Sequence, residues 1–230
     1  MKLLTVDTST SACSVALTRD GRLVAEHLVD GGRTLTERLL GAIESVLADG
    51  GLDVAGLDGF GVALGPGAFT GVRIGAATVK GLAIATGKPV AGFSSLAMLA
   101  LNLPFSSFPV CPLFDARKNE VYAGLYRCEA APEPLMTDRV LPPQQLLAEL
   151  EGTVIFVGDG ALRYRELIEA TLGDRAIFAP SHCHLPRAGA GALLAQKLLM
   201  SGEGTPLALL NPTYIRPSEA ELAKIRRETL

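Results

Sequence analysis

Two aspartates close apolar runs: Asp7 follows Leu3-Leu-Thr-Val and Asp115 follows Leu113-Phe. A polar turn comes next in each case, Thr8-Ser-Thr-Ser11 after the first and Ala116-Arg-Lys-Asn-Glu120 after the second. An acid at a strand end beside such a turn suits a nucleotide, because turn amides hold phosphate while the carboxylate handles a cation or a proton. Two glycine steps, Gly65-Pro-Gly67 and Gly158-Asp-Gly160, each precede a helical run and have the same potential. Turns also need glycine for their own geometry, so both readings stay open. The candidate nucleotide-binding set, working or vestigial, is Asp7, Thr8, Ser9, Gly65, Gly67, Asp115, Gly158 and Gly160.

Other chemistries lack their residues. There is no G-x-x-x-x-G-K-[ST] segment, and Gly65-x-Gly67-x-x-x-Gly71 has the wrong spacing for a dinucleotide turn. H-E-x-x-H and G-x-S-x-G are absent as well, which disfavours zinc proteases and serine hydrolases. The only histidines are His27, His182 and His184. Ser181-His-Cys-His184 would point two imidazoles one way in an extended chain, yet no third ligand is apparent. Cys13, Cys111, Cys128 and Cys183 form no C-x-x-C pair and read as buried, reduced thiols. No metal site and no catalytic residue is expected.

The elements that must position these residues are legible from pattern. Leu3 to Asp7, Ala12 to Thr18 and Leu23 to Leu28 predict a three-strand meander. Thr34-Leu-Thr-Glu37 is a capping-box pattern, after which Leu35, Leu39, Leu40, Ile43, Val46 and Leu47 recur at helical spacing until Gly50-Gly51. A strand over Gly59 to Leu64 leads through Gly65-Pro-Gly67 into a second helix ending near Thr86. In that helix Gly71, Gly75, Ala77, Gly81 and Ala85 leave a small-residue surface, suited to the chain's own sheet or to another subunit. The second half repeats the first: Asp7 maps on Asp115 at an offset of 108, and Gly65 on Gly158 at an offset of 93. The expectation is an α/β, actin-like (ASKHA) fold of two duplicated β-rich lobes, residues 1–103 and 104–210, with a tail at 211–230 packing back near the lobe junction.

Composition sets outer bounds. The chain has 230 residues, 48% hydrophobic but only 5% aromatic, with 25 glycines and a formal net charge of −3. Its mean hydropathy of +0.32 raises the question of a membrane span. The uncharged stretch Pro89 to Phe114 is broken by Pro104, Pro109 and Pro112, and the apolar N-terminal run stops at Asp7. A cytoplasmic protein with no signal peptide is expected. Mild acidity without a basic run makes direct nucleic-acid binding weak, so any role on RNA would be indirect.

Five segments together resemble the TsaB (YeaZ) family, from end to end of the chain: Leu4-Thr-Val-Asp-Thr-Ser-Thr10, Gly65-Pro-Gly-Ala-Phe-Thr-Gly-Val-Arg-Ile-Gly75, Lys80-Gly-Leu-Ala83, Asp115-Ala-Arg117 and Pro212-Thr-Tyr-Ile-Arg216. The resemblance implies a partner protein in the synthesis of threonylcarbamoyladenosine on tRNA. It would bind the catalytic paralogue TsaD and, through it, the ATPase TsaE, and would self-pair when isolated. TsaD carries a His-Leu-Glu-Ala-His metal motif whose histidine positions fall here on Ser95 and Leu99, which implies a scaffold without the enzyme's metal site. No cofactor is expected in the chain itself, although ATP or ADP could enter the complex. Pairing would run through the first two helices, about Thr34 to Ala48 and Ala68 to Thr86, with Leu35, Leu39, Ile43, Val72, Gly75, Ala76 and Val79 as the contact residues. Where the family has His-Ser ahead of Glu-x-Leu-Leu, this chain has Leu35-Thr36, which strengthens a packing role there. Rival readings are a stand-alone actin-fold kinase acting on a small acid or sugar, and a metallopeptidase. Beyond Arg216 the charge pattern predicts a solvated terminal helix.

Overall fold

The computed structural model describes residues 1–31 and 35–216. The proposed cap at Thr34 and the charged helix beyond Arg216 lie outside the described residues. Two five-stranded sheets share one topology. The first contains β1 (Lys2–Asp7), β2 (Ala12–Arg19), β3 (Arg22–Asp30), β4 (Gly59–Ala63) and β5 (Val90–Phe93) in the order β3-β2-β1-β4-β5. The second contains β6 (Val110–Asp115), β7 (Val121–Cys128), β8 (Pro132–Leu141), β9 (Val154–Val157) and β10 (Ala176–Phe178) in the order β10-β9-β6-β7-β8. In each sheet the first three strands pair antiparallel, and the fourth and fifth join parallel to the first and to each other. The expected duplication is therefore present in the topology.

Helices α1 (Leu35–Asp49) and α2 (Phe69–Thr86) cover one face of the first sheet. On it Leu39, Ile43, Val46, Ala76, Val79 and Ala83 pack against Leu4, Val6, Phe60 and Val62. Helices α4 (Pro143–Glu149), α5 (Asp159–Arg163) and α6 (Arg165–Leu172) belong to the second sheet, where Leu146, Leu147 and Ile168 meet Cys111, Leu113 and Phe156. The remaining two helices change sides. Helix α3 (Ser95–Ala100), which leaves the first sheet, packs Leu96 and Leu99 on Val110, Phe114 and Val157 of the second. Helix α7 (Ala188–Met200), which leaves the second sheet, packs Ala195 on Leu3, Ala63 and Ala91 of the first. The expected boundary at residues 103 and 104 is corrected accordingly: a strand buried on both faces needs two covers, and each half supplies one of the other's. Residues 188–210 belong with the first lobe, where Leu210 joins the α1–α2 core and Thr205 Oγ1 accepts from Gly92 N at 2.9 Å.

Strand alternation also corrects the residue-level repeat. Leu3 faces α7 and Leu4 faces α1 and α2, whereas their partners at an offset of 108, Cys111 and Pro112, lie the other way round, Cys111 facing α4 and α6. Side chains alternate across a strand, so an offset wrong by one residue reverses every face. Asp7 shares the parity of Leu3, and Asp115 that of Leu113. The two acids end equivalent strands but leave them on non-equivalent sides.

The glycines of α2 divide by face. A Cβ on Gly71 or Gly75 would come closer than 3.0 Å to the Thr8 carbonyl or hydroxyl, while one on Gly81 would have nothing within 4 Å. This corrects the proposed contact set. Leu39, Ile43, Val72, Gly75, Ala76 and Val79 are buried and Leu35 is partly so, all within the chain itself. They are the inward stripe of their helices, because the apolar stripe of an amphipathic helix goes to its own sheet first. Outward lie Leu40 and Ile84, 57% and 65% exposed, beside Ala77, Gly81 and Ala85. Gly71→Ala should therefore destabilise the fold by about 1–3 kcal/mol, and Gly81→Ala should stabilise it by up to about 1 kcal/mol. Urea unfolding of both variants checks the pair; equal effects would refute the division.

Candidate functional site

Between the lobes lies a cavity of about 780 Å³. The β1–β2 turn, the Gly65–Ala68 loop with the start of α2, the β6–β7 turn and the segment Pro212–Arg216 build its walls. The first turn is fixed by its own side chains. Ser9 N donates to Asp7 Oδ1 at 3.2 Å, Ala12 N to Thr10 Oγ1 at 3.2 Å, and Ser11 Oγ to Asp30 Oδ1 at 2.7 Å. Thr8 Oγ1 donates to Gly71 O at 2.7 Å, and Ala68 N to Ser9 O at 2.7 Å, so the turn and the head of α2 form one unit. The opposite turn is left-handed over Arg117, Lys118 and Asn119, with φ of 61°, 53° and 59°. Non-glycine residues seldom adopt this conformation. Here Arg117 N donates to Asp115 Oδ1 at 2.9 Å and Ala116 N to Glu120 O at 3.0 Å.

The cavity's acids are engaged. The Asp115 side chain is 8% exposed and pairs with Arg117 at 3.2 Å and Arg163 at 3.5 Å. Asp159 Oδ1 accepts from Asp115 N at 3.2 Å and Gly160 N at 2.9 Å, while burial raises its carboxyl above the ordinary range. Asp7 is wholly buried, and loss of solvent raises its pKa to about 6 against the lowering effect of its Ser9 and Thr8 hydrogen bonds. The segment Pro212–Arg216 crosses from lobe to lobe. Thr213 N donates to Leu64 O at 2.7 Å, Tyr214 packs on Phe69 with ring centroids 5.1 Å apart, and Arg216 Nη1 donates to Ala116 O at 2.6 Å while pairing with Glu120.

Of the eight proposed nucleotide residues, Ser9, Gly67 and Asp115 line the cavity. The others lie behind it as packing: a Cβ on Gly158 would strike Leu113 O, one on Gly160 would sit 2.9 Å from the Phe114 carbonyl carbon, and Gly65 N donates to Ser95 Oγ at 3.1 Å. Arg73, Tyr122 and Asp159 also line the cavity, and no sequence motif flags them; Arg73 sits inside the Gly65–Gly75 segment with no pattern of its own. The paired-imidazole reading of His182 and His184 is corrected. Ser181–Cys183 is a short 3₁₀ turn, so His182 is exposed while His184 is buried. His184 Nδ1 accepts from Gly158 N at 3.0 Å and Nε2 lies 3.0 Å from Ala179 O, which commits both nitrogens. Among the described residues no three His, Cys, Asp or Glu side chains gather where they could hold a metal ion. Ser95 and Leu99 are fully buried in α3. The four cysteines are free and buried, and among the described residues no helix is long and apolar enough to cross a membrane.

Comparison with known proteins places this geometry. Residues 29–224 match the family model of TsaD, tRNA N6-adenosine threonylcarbamoyltransferase. The chain is 31% identical over 229 residues to the tRNA threonylcarbamoyladenosine biosynthesis protein TsaB of Bacillus subtilis, covering 96% of each chain. The Haemophilus influenzae protein of the same name is 32% identical, with 92% of this chain and 94% of that protein covered. The solved structure of YeaZ from Pseudomonas aeruginosa superposes with a TM-score of 0.81 at 33% identity, covering 93% of this chain and 99% of that one. A ROK hexokinase from Thermus thermophilus, 16% identical with a TM-score of 0.51 over 88% of this chain and 100% of that one, shares the fold alone. The two lobes form an actin-like fold.

Burial of Asp7 gives the turn a pH signature. Its folded pKa lies above the unfolded value, so the native state binds the extra proton and stability falls as pH rises from about 4 to about 6. Relative to Asp7→Asn, the natural chain should lose on the order of 2–3 kcal/mol between pH 4 and pH 7. Parallel urea stabilities of the two proteins across that range would contradict the assignment.

Proposed function

The chain belongs to the TsaB (YeaZ) family of tRNA threonylcarbamoyladenosine biosynthesis proteins, and from that premise we propose that it is the non-catalytic subunit of the transferase complex. In this reading it binds and activates a TsaD-type paralogue, which moves a threonylcarbamoyl group to N6 of the adenosine beside the tRNA anticodon. It engages TsaE and tRNA only through that paralogue, ATP or ADP can enter the complex, and the complex works in the cytoplasm.

The observation that carries the reading is α3. At the positions where the paralogue's motif has two histidines, Ser95 supplies a hydroxyl to Gly65 N and Leu99 packs among Leu96, Val110 and Phe114. These residues tie α3 to the glycine loop and the second sheet, and Leu99 has no ligand atom. The outer face of α1 and α2 supports pairing: Leu40 and Ile84 provide apolar anchors, and Ala77, Gly81 and Ala85 permit close approach of another helix. The same face could serve self-pairing of the isolated chain. The kinase reading has less support, since Asp115 is neutralised by two arginines and Asp7 is sealed beneath the turn.

Purified alone, the chain should transfer no threonylcarbamoyl group to tRNA, and activity should appear on adding the paralogue, TsaE and the threonylcarbamoyl adenylate. Ile84→Asp should weaken pairing at least about tenfold, as charge does in a desolvated contact, with no fall in melting temperature. Transfer by the isolated chain would overturn the scaffold reading; pairing untouched by Ile84→Asp would overturn the assigned face.

A further inference from the structure

Each exchanged helix begins on a carboxylate of the sheet it moves to. Helix α7, which covers the first sheet, starts on Glu26 of β3: Gly189 N donates to Glu26 Oε1 at 2.8 Å, and Arg187 Nε, just ahead of the helix, donates to Glu26 Oε2 at 3.0 Å. Ala188 N donates to Ser14 Oγ of β2 at 2.8 Å. Helix α3, which covers the second sheet, starts on Asp138 of β8. Its cap Ser94 accepts from Leu96 N at 3.2 Å and Ala97 N at 3.1 Å and donates its own hydrogen to Asp138 Oδ2, while Tyr126 Oη of β7 donates to Asp138 Oδ1. Each dock thus uses the second and third strands of its sheet, β2 and β3 in one half and β7 and β8 in the other.

Both docks are built for close approach. A Cβ on Gly189 would lie 3.0 Å from Glu26 Oε1, and one on Gly124 would lie 2.5 Å from Asp138 Oδ1. The β7–β8 register shifts beside Gly124, between the pairs Ala123–Arg139 and Leu125–Met136, and such a bulge re-aims a side chain. The charges differ in their support. The Glu26 side chain is 7% exposed and has the Arg187 cation, whereas partly buried Asp138 is met by two neutral hydroxyls. Loss of solvent raises the Asp138 carboxyl above its ordinary range although both hydroxyls act to lower it. A carboxylate carried at such a cost calls for a role other than adding stability.

We propose that Glu26 and Asp138 are paired latches that fix the angle between the lobes, and with it the width of the cleft. They sit at two places where the chain crosses between the sheets, and each joins the head of a crossing helix to side chains of the sheet it enters. A swing of one lobe on the other has to break one of them. Asp138 also reaches the cleft through a single residue: Ser95, next to its partner Ser94, donates from N to Gly65 O at 2.9 Å and accepts from Gly65 N at 3.1 Å. The latches depend on the helix exchange alone and are independent of the transferase reading.

Spin labels on the full chain test this, placed at Asp49→Cys on α1 and Glu166→Cys on α6, both exposed, with the four natural cysteines buried. Labelled chain is diluted in unlabelled excess so that distances within one copy are read. One narrow distance is expected, broadened or shifted by Asp138→Ala and by Glu26→Ala. In Asp138→Ala the Gly65 and Ser95 amides should also exchange hydrogen at least about tenfold faster. Ile168→Val, within the second core, should lower the melting temperature and leave the distance narrow. An unchanged distance in both latch variants, or equal broadening by Ile168→Val, would overturn the proposal. Asp138→Asn covers the case in which Asp138→Ala fails to fold: its amide nitrogen cannot accept, so one hydroxyl bond is lost. Intermediate broadening is expected there, and the natural width would count against the latch.

Discussion

The seating of the α2 backbone on the β1–β2 turn is the contact on which the rest of the molecule depends. Ala68 N reaches Ser9 O, Thr8 Oγ1 reaches Gly71 O, and there is no room for a Cβ at Gly67, Gly71 or Gly75. Hydrogen bonds and steric closeness reinforce one another here. The bonds fix the turn against the helix, and the glycines permit the distance at which the bonds form. The second lobe repeats the device with Gly158 and Gly160 against Leu113 and Phe114. Each lobe therefore presents a rigid turn toward the other, and the cleft is the space between them.

That space owes its shape to the exchange of α3 and α7. Each helix leaves its own sheet at the last strand and covers the inner face of the other, so the lobes share their packing. Pro212–Arg216 then ties Leu64 and Arg73 on one side to Ala116 and Glu120 on the other. The outer faces of α1 and α2 take no part in this arrangement. The cleft and the exposed outer flank are thus two separate surfaces of one α2 helix, one at its head and one along its side.

Local patterns were readable where one physical signal dominated. The heptad-like stripe of α1, the apolar runs of β1 and β2 and the turn at Gly50-Gly51 lie where periodicity puts them. Small residues were harder, because glycine and alanine have no periodic hydrophobic signature: whether Gly75 and Gly81 face the core or solvent depends on which side of α2 the sheet lies. The same poverty of signal hid α7, whose opening Ala-Gly-Ala-Gly-Ala reads as neither stripe nor strand. The repeat was legible as order but not as register, since a match of Asp7 to Asp115 constrains the count of residues and not the face. In the cleft, Ser9 was within reach of pattern and Arg73 was not, because Arg73 is placed by Phe69 and by Tyr214, which lies 141 positions away along the chain.

The helix exchange also bears on how the chain is made. A ribosome delivers the first sheet and its two outer helices well before Ala188–Met200 leaves the exit tunnel, and until then Leu3, Ala63, Ala91 and Phe93 have Met98 of α3 but not Ala195 to cover them. A nascent first lobe thus waits, sticky on one side, for about two fifths of its own translation. A messenger cut short before α7 would encode a first sheet that lacks the cover given by Ala195 and its neighbours.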